Sequence, residues 1–144
     1  MLHNKNNTIL LYDDVNERMA HYFAREMISM SNYKNVIIRI NSFGGDLLCA
    51  LAIINIMKQH RGEVITLVDG AAASAASLIA ASGTCRLMFR NSFHLAHKVV
   101  NDCPINAPMF NAVINRVYKG VDLPEDKWMT ASESFEYGLA DKLI

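Results

Sequence analysis

A serine at the entrance of an apolar helix is the first group in this chain with a chemical use beyond packing. Ser74 lies in VDGAAASAASLIAASG, Val68 to Gly83. There a strand-like run from Val64 to Val68 ends at Asp69-Gly70, small residues lead into the serine, and an apolar helical segment closes at Gly83. A helix entrance offers an oxyanion N–H groups that lack intrahelical acceptors, together with a partial positive charge. Small residues around it let other backbone and a substrate come close. A second glycine-rich turn, Asn41-Ser42-Phe43-Gly44-Gly45-Asp46, exposes further N–H groups between a strand and a helix. The third chemical stretch is Phe93 to His97. In an extended strand Ser92, His94 and Ala96 share one face and Phe93, Leu95 and His97 the other, so only one of the two imidazoles faces a site. Alternation alone does not say which. Because the two point apart they are poorly placed to share an ion, and no metal site is expected.

The elements that must position these groups follow from periodicity. Thr8 to Tyr12 is a short strand, and Val15 to Met30 an amphipathic helix with Met19, Tyr22, Phe23, Met27 and Met30 at three- and four-residue intervals and Asp14 as a candidate N-cap. Val36 to Ile40 is a strand apolar enough for a sheet covered on both faces, and Leu47 to Gln59 is the next helix. Two successive strand, glycine-rich turn and helix units imply right-handed crossovers and a largely parallel sheet. Their turns then fall at one sheet edge, where sites of such folds gather. A strand from Cys85 to Phe89 follows, then a short helix over Asn106 to Lys119 with Met109, Phe110, Val113, Val117 and Tyr118 on one side. Glu133, Glu136 and Asp141 read as solvated faces of a closing helix and its turn.

Composition limits the function classes. The 144 residues suit a single domain, 51% hydrophobic and 19% charged, with 14 basic against 14 acidic side chains. No basic excess points to nucleic acid, and no run approaches a bilayer-spanning length, so neither nucleic acid nor membrane is an expected partner. With no signal-type opening segment, a cytoplasmic location is expected. Cys49, Cys85 and Cys103 are odd in number and lack paired ligand spacing, which reads as free thiols, two of them buried. No nucleotide-binding loop of the G-x-x-x-x-G-K type is present and no cofactor is expected.

Taken together, NSFGGD (Asn41 to Asp46), GAAAS (Gly70 to Ser74), SFHLAH ending at His97 and EDKWMTASESFEYGLADKLI (Glu125 to Ile144) resemble, in that order, the ClpP family of serine peptidases. The DGAAASAAS wording also resembles ClpP-related peptidases of tailed phages, including those that process capsid precursors. The resemblance implies an α/β fold of repeated β-β-α units shared with crotonases. Residue by residue it implies Ser74 as nucleophile, His97 as general base, Asp126 as the acid, and the backbone N–H groups of Gly45 and Ala75 as oxyanion donors. Phe43 and Gly44 fall in the stretch that pairs with an extended polypeptide substrate. Asp102 and Asp122 lie in the same weakly matching interval as Asp126 and remain open for its role.

The family further implies a self-assembled, heptamer-like ring or stacked double ring, with an AAA+ unfoldase of a bacterial host as partner. In a phage setting the location would be the host cytoplasm. Two departures bear on this. Phe43 stands where the family usually has proline, and the interval from His97 to Asp126 is short, leaving little chain for the handle that joins two rings. Other readings are a capsid-precursor peptidase that works without an unfoldase, a non-catalytic shell subunit, and a crotonase-type acyl-CoA enzyme; the last needs two oxyanion donors but no Ser/His/Asp set.

Overall fold

The strand that begins near Val64 does not stop at Asp69-Gly70. In the computed structural model, which describes residues 7–97, 107–123 and 126–144, strand β3 runs over Glu63–Ala73 and ends one residue before Ser74. The apparent break is a change of neighbour. Earlier in the chain come β1 (Thr8–Leu11), α1 (Glu17–Ser29), β2 (Asn35–Ser42) and α2 (Leu47–Gln59); later come α3 (Ala75–Ala81), β4 (Cys85–Met88) and β5 (Phe93–Ala96). Ile65 to Val68 of β3 pair with β4, whereas Ala71 to Ala73 pair with β5. Asp69-Gly70 lies where β3 leaves one partner for the other. The alanines are therefore strand residues, kept small where Gly44 backbone crosses close to Ala73.

The remaining elements are α4 (Ala107–Val117), β6 (Lys127–Thr130), α5 (Ala131–Glu136) and β7 (Lys142–Leu143). The sheet order is β1-β2-β3-β4-β7, parallel throughout, with β5 branching from β3 and β6 antiparallel to β5. This is the expected mixed α/β architecture with a mostly parallel sheet. Ile9, Leu11, Ile38 and Ile40 of the sheet meet Phe23, Ile53, Ile54 and Ile79 of the helices in one buried core. All seven residues of α3 are buried, which is why its sequence carries no polar stripe. Among the described residues no helix is long and apolar enough to cross a membrane.

Four local expectations change. Asn16, not Asp14, caps α1, accepting from Met19 N–H at 2.9 Å, because Val15 is held in an isolated parallel bridge to Gly45 and the helix begins only after it. In α4 the buried residues are Phe110, Ile114 and Val117, with Tyr118 buried just past its end, while Met109 is exposed; the covered stripe includes Ile114, where the helix packs against α3. Asp141 and Glu133 are not simply solvated. Asp141 binds Arg86 at 2.6 Å, and Glu133 closes a capping box with Thr130 and pairs with Lys127 at 2.8 Å, which together pull its carboxyl down to about 2. Cys49 and Cys85 are free and half-buried rather than buried, each thiol pushed up by the burial it has; Cys103 lies outside the described residues.

Candidate active site

Ser74 is held at the junction of β3 and α3 by its own backbone. Its N–H donates to Leu95 carbonyl at 2.8 Å, while its carbonyl accepts from Ser77 N–H at 2.9 Å. Its φ of 55° and ψ of −122° lie where non-glycine residues are seldom found, a strain tolerated when surrounding structure over-determines the conformation. Ala75 is the first residue of α3, so its N–H has no acceptor within the helix.

Gly44 and Gly45 bring a second strip of backbone against this junction. A Cβ on Gly44 would stand 3.0 Å from Ser74 Cβ, 3.0 Å from Ala75 N and 2.5 Å from Ala73 O, so only glycine lets these segments approach. The strip is pinned from behind. Val15 N–H donates to Gly44 O at 2.9 Å, Asp46 N–H donates to Val15 O at 2.7 Å, and Ser42 Oγ accepts from Gly44 N–H at 3.1 Å. In a parallel bridge of this form the central residue's own N–H points away from its partner, so Gly45 N–H is directed off Val15. Gly45 N–H, turned off Val15, thus lies one residue along the strip from the Gly44 approach to Ser74, and Ala75 N–H lies on the α3 side of the turn.

The second half of the site comes from strand register. Ser42 pairs with Ala72, Ala72 with His94 and His94 with Met129, forming one row across β2, β3, β5 and β6; all four side chains are buried. The next row has Ala73 beside Leu95 and Leu95 beside Trp128. Strand alternation turns Leu95 and His97 to the opposite face from His94. Ala96 pairs with Lys127, and one further step of this antiparallel register sets His97 opposite Asp126. There His97 Nδ1 and Asp126 Oδ1 stand 3.7 Å apart, within ion-pair reach but beyond a hydrogen bond. The His97 side chain is 26% exposed and that of Asp126 74%, so the pair opens to solvent. Asp126 adopts a φ of 44°, a turn conformation that aspartate tolerates better than most residues. Asp122 lies exposed on the preceding loop, and Asp102 outside the described residues.

Phe43 is exposed and Gly44 buried at the end of β2. The Phe43 ring meets Trp128 edge to face, with centroids 6.0 Å apart at 78°. That contact joins residues 85 positions apart, and no local signal in the chain announces it.

His94 does something else. It is fully buried beneath α3, and among the described residues neither ring nitrogen has a hydrogen-bond partner, the Ser77 backbone lying near it but off hydrogen-bond geometry. Burial lowers its pKa to about 4. Close by, Ser77 Oγ and Tyr118 OH share a buried hydrogen bond of 2.6 Å that ties α3 to the end of α4. An unfolded imidazole takes up its proton near pH 6.5, while the native one resists until about 4. The contribution of neutral His94 to stability is therefore fully present above pH 6.5 and is lost as pH drops from there towards 4, on the order of 3 kcal/mol in all. Urea unfolding of His94→Leu between pH 7 and 4.5 should show a shallower loss than the native chain; equal slopes would remove His94 as its cause.

Residues 2–119 match the family model described as Clp protease. The chain belongs to the Clp protease family. It is 27% identical to the ATP-dependent Clp protease proteolytic subunit of Lactococcus lactis subsp. cremoris, covering 97% of this chain and 84% of that protein. To the protein of the same description from Streptococcus salivarius it is 28% identical, over 97% and 85%. The first alignment occupies 169 positions against a chain of 144 residues, so this Clp protease relative carries extra residues inside the matched length. Among solved structures, a ClpP1 mutant from Listeria monocytogenes shares the fold with a TM-score of 0.83 at 21% identity, covering 96% of this chain and 91% of that one. Among the described residues no group of three or more His, Cys, Asp or Glu is placed to hold a metal ion.

Proposed function

We propose that this chain is a serine-type endopeptidase, the proteolytic subunit of a Clp-type assembly, with Ser74 as nucleophile, His97 as general base and Asp126 as the carboxylate that orients it. The observation that carries the reading is the β5–β6 register, which faces His97 with Asp126 at the sheet edge where β3 delivers Ser74. A serine hydroxyl is a weak nucleophile until an imidazole takes its proton, and a carboxylate stabilises the imidazolium that results. Ser74 Oγ adds to the scissile carbonyl carbon as His97 takes the hydroxyl proton. The oxyanion that forms is held by Gly45 and Ala75 N–H. As the C–N bond breaks, His97 returns the proton to the leaving amine, and water then repeats the sequence on the acyl-enzyme. One such backbone donor contributes about 3 kcal/mol to the barrier reduction. A crotonase-type acyl-CoA reaction would need the two donors alone and gives the facing His97 and Asp126 no task.

The names of the relatives favour self-assembly and an ATP-driven partner, and we place this chain in a ring of copies with an AAA+ unfoldase supplying threaded polypeptide in a bacterial or phage-infected cytoplasm. A fluorophosphonate probe with intact-mass readout tests the chemistry. One adduct is expected on the native chain and none on Ser74→Ala or His97→Ala; a folded native chain that takes no adduct sinks the serine-peptidase reading. Native mass spectrometry of the same sample is expected to show a ring, and a lone monomer or dimer would remove that part.

A further inference from the structure

The aromatic contact between Phe43 and Trp128 lies across the strand ends that carry Ser74 and His97. β2 and β6 are separated by β3 and β5, so their backbones are roughly 14 Å apart at the usual spacing between neighbouring strands. Their rings nevertheless meet at 6.0 Å, which requires both to lean inward over the intervening row of Ala73 and Leu95. Ala73 leaves room for this, and Leu95 forms a half-buried apolar floor. Alternation puts Leu95 on the same face as His97, and Trp128, directly opposite Leu95 in the β5–β6 ladder, shares that face. The pair therefore borders the imidazole, on the face that the site opens from. Even in mutual contact, Phe43 remains 75% exposed and Trp128 44%. Two large rings left this open beside a reactive group offer apolar area that a ligand can cover.

We infer that Phe43, Trp128 and Leu95 form a subsite for a bulky apolar side chain on the residue that follows the cleaved bond. This rests on the peptidase reading of Ser74 and His97 and adds a specificity to it. The side of the cut follows from the chemistry. The imidazole that took the Ser74 proton must hand it to the leaving nitrogen as the C–N bond breaks, so the leaving half of the substrate passes beside His97. The acyl half stays with the oxyanion donors Gly45 and Ala75. A wall that borders His97 therefore meets the first side chain of the leaving half. Covering a leucine or phenylalanine side chain there discriminates against aspartate or serine by roughly tenfold or more.

The test uses the full-length assembled protein and a random decapeptide library, with new termini read by mass spectrometry. The native chain should enrich Leu, Phe and Met over Asp and Ser at least about fivefold in the first position after the cut. Trp128→Ala and Phe43→Ala should each reduce that enrichment below about twofold, and Trp128→Phe should keep it. Phe43→Ala changes an exposed side chain and guards against a folding failure at Trp128. No enrichment in the native chain, the same enrichment in both alanine variants, or a loss confined to the position before the cut would overturn the subsite. Cleavage that is absent from the native chain, or that persists in Ser74→Ala, overturns the peptidase reading and the subsite with it.

Discussion

Ser74→Ala should lower kcat/KM for peptide hydrolysis by about 10⁴-fold or more, and His97→Ala by a similar factor. The double variant should be hardly worse than either single one. In the proposed mechanism nucleophile and base act as one unit: without the imidazole the hydroxyl keeps its proton, and without the hydroxyl the imidazole has nothing to activate. The carboxylate separates the site from its neighbours more sharply. Asp126→Asn should cost about 10³- to 10⁴-fold, because an amide can neither favour the required imidazole tautomer nor stabilise the imidazolium. Asp122→Asn, on the exposed loop before it, should stay within about twofold of the native rate. The rates are read on one peptide under single-turnover conditions, with circular dichroism to confirm folding. If Asp122→Asn suffers the loss and Asp126→Asn does not, the facing of β5 and β6 is not what serves catalysis.

Gly45→Ala is the second large effect, and it acts through backbone. The added Cβ would stand 2.3 Å from Val15 carbonyl oxygen, at a φ of 148° that L-residues rarely adopt. The collision falls on the bridge that holds this strip in place, since Val15 accepts from Asp46 N–H and donates to Gly44 O. Relief requires the peptide to rotate or Val15 to withdraw, and either movement takes Gly45 N–H away from the place proposed for the oxyanion. Loss of one such donor lowers kcat by about 10²- to 10³-fold. Gly138→Ala provides the comparison: it also has positive φ, at 79°, but its Cβ would meet nothing within 4 Å, so it should cost about 1 kcal/mol of stability with little change in rate. Melting temperature and fluorophosphonate labelling rate measure both. A Gly45→Ala protein with native labelling and native stability would show that Gly45 N–H is not an oxyanion donor.

The two glycine-rich turns, the parallel sheet and the opposed facing of His94 and His97 are legible in the sequence to different degrees. Strand, turn and helix succession over Val36 to Gln59 is encoded locally, because β-branched runs, glycine pairs and apolar spacing act over a few residues. Alternation correctly separated His94 from His97, and the structure buries the first while opening the second. β3 is longer than its sequence suggests, because Asp69-Gly70 has the composition of a turn. Arg39 from β2 binds Asp69 through two hydrogen bonds of 2.8 Å, and Asn41 Oδ1 accepts from Ala71 N–H at 3.1 Å, so partners 30 residues away hold those positions extended. The α1 cap was displaced by a bridge between Val15 and Gly45, again a contact with no local trace.

By itself the sequence determined the order of strands and helices, the places where backbone must come close, and the residue types able to attack, take a proton and hold an anion. These follow from side-chain size, dihedral freedom and chemistry, all properties of short stretches. Only tertiary structure decided what meets what. The β5–β6 register brought Asp126, rather than the neighbouring Asp122, to face His97, because antiparallel pairing from Phe93 with Thr130 to Ala96 with Lys127 leaves one residue in that place. It also aligned Ser42, Ala72, His94 and Met129 in one buried row and carried Phe43 to Trp128 across two intervening strands. Such pairings depend on hydrogen-bond registers between distant segments, and a shift of one residue would turn every side chain of the strand to its other face.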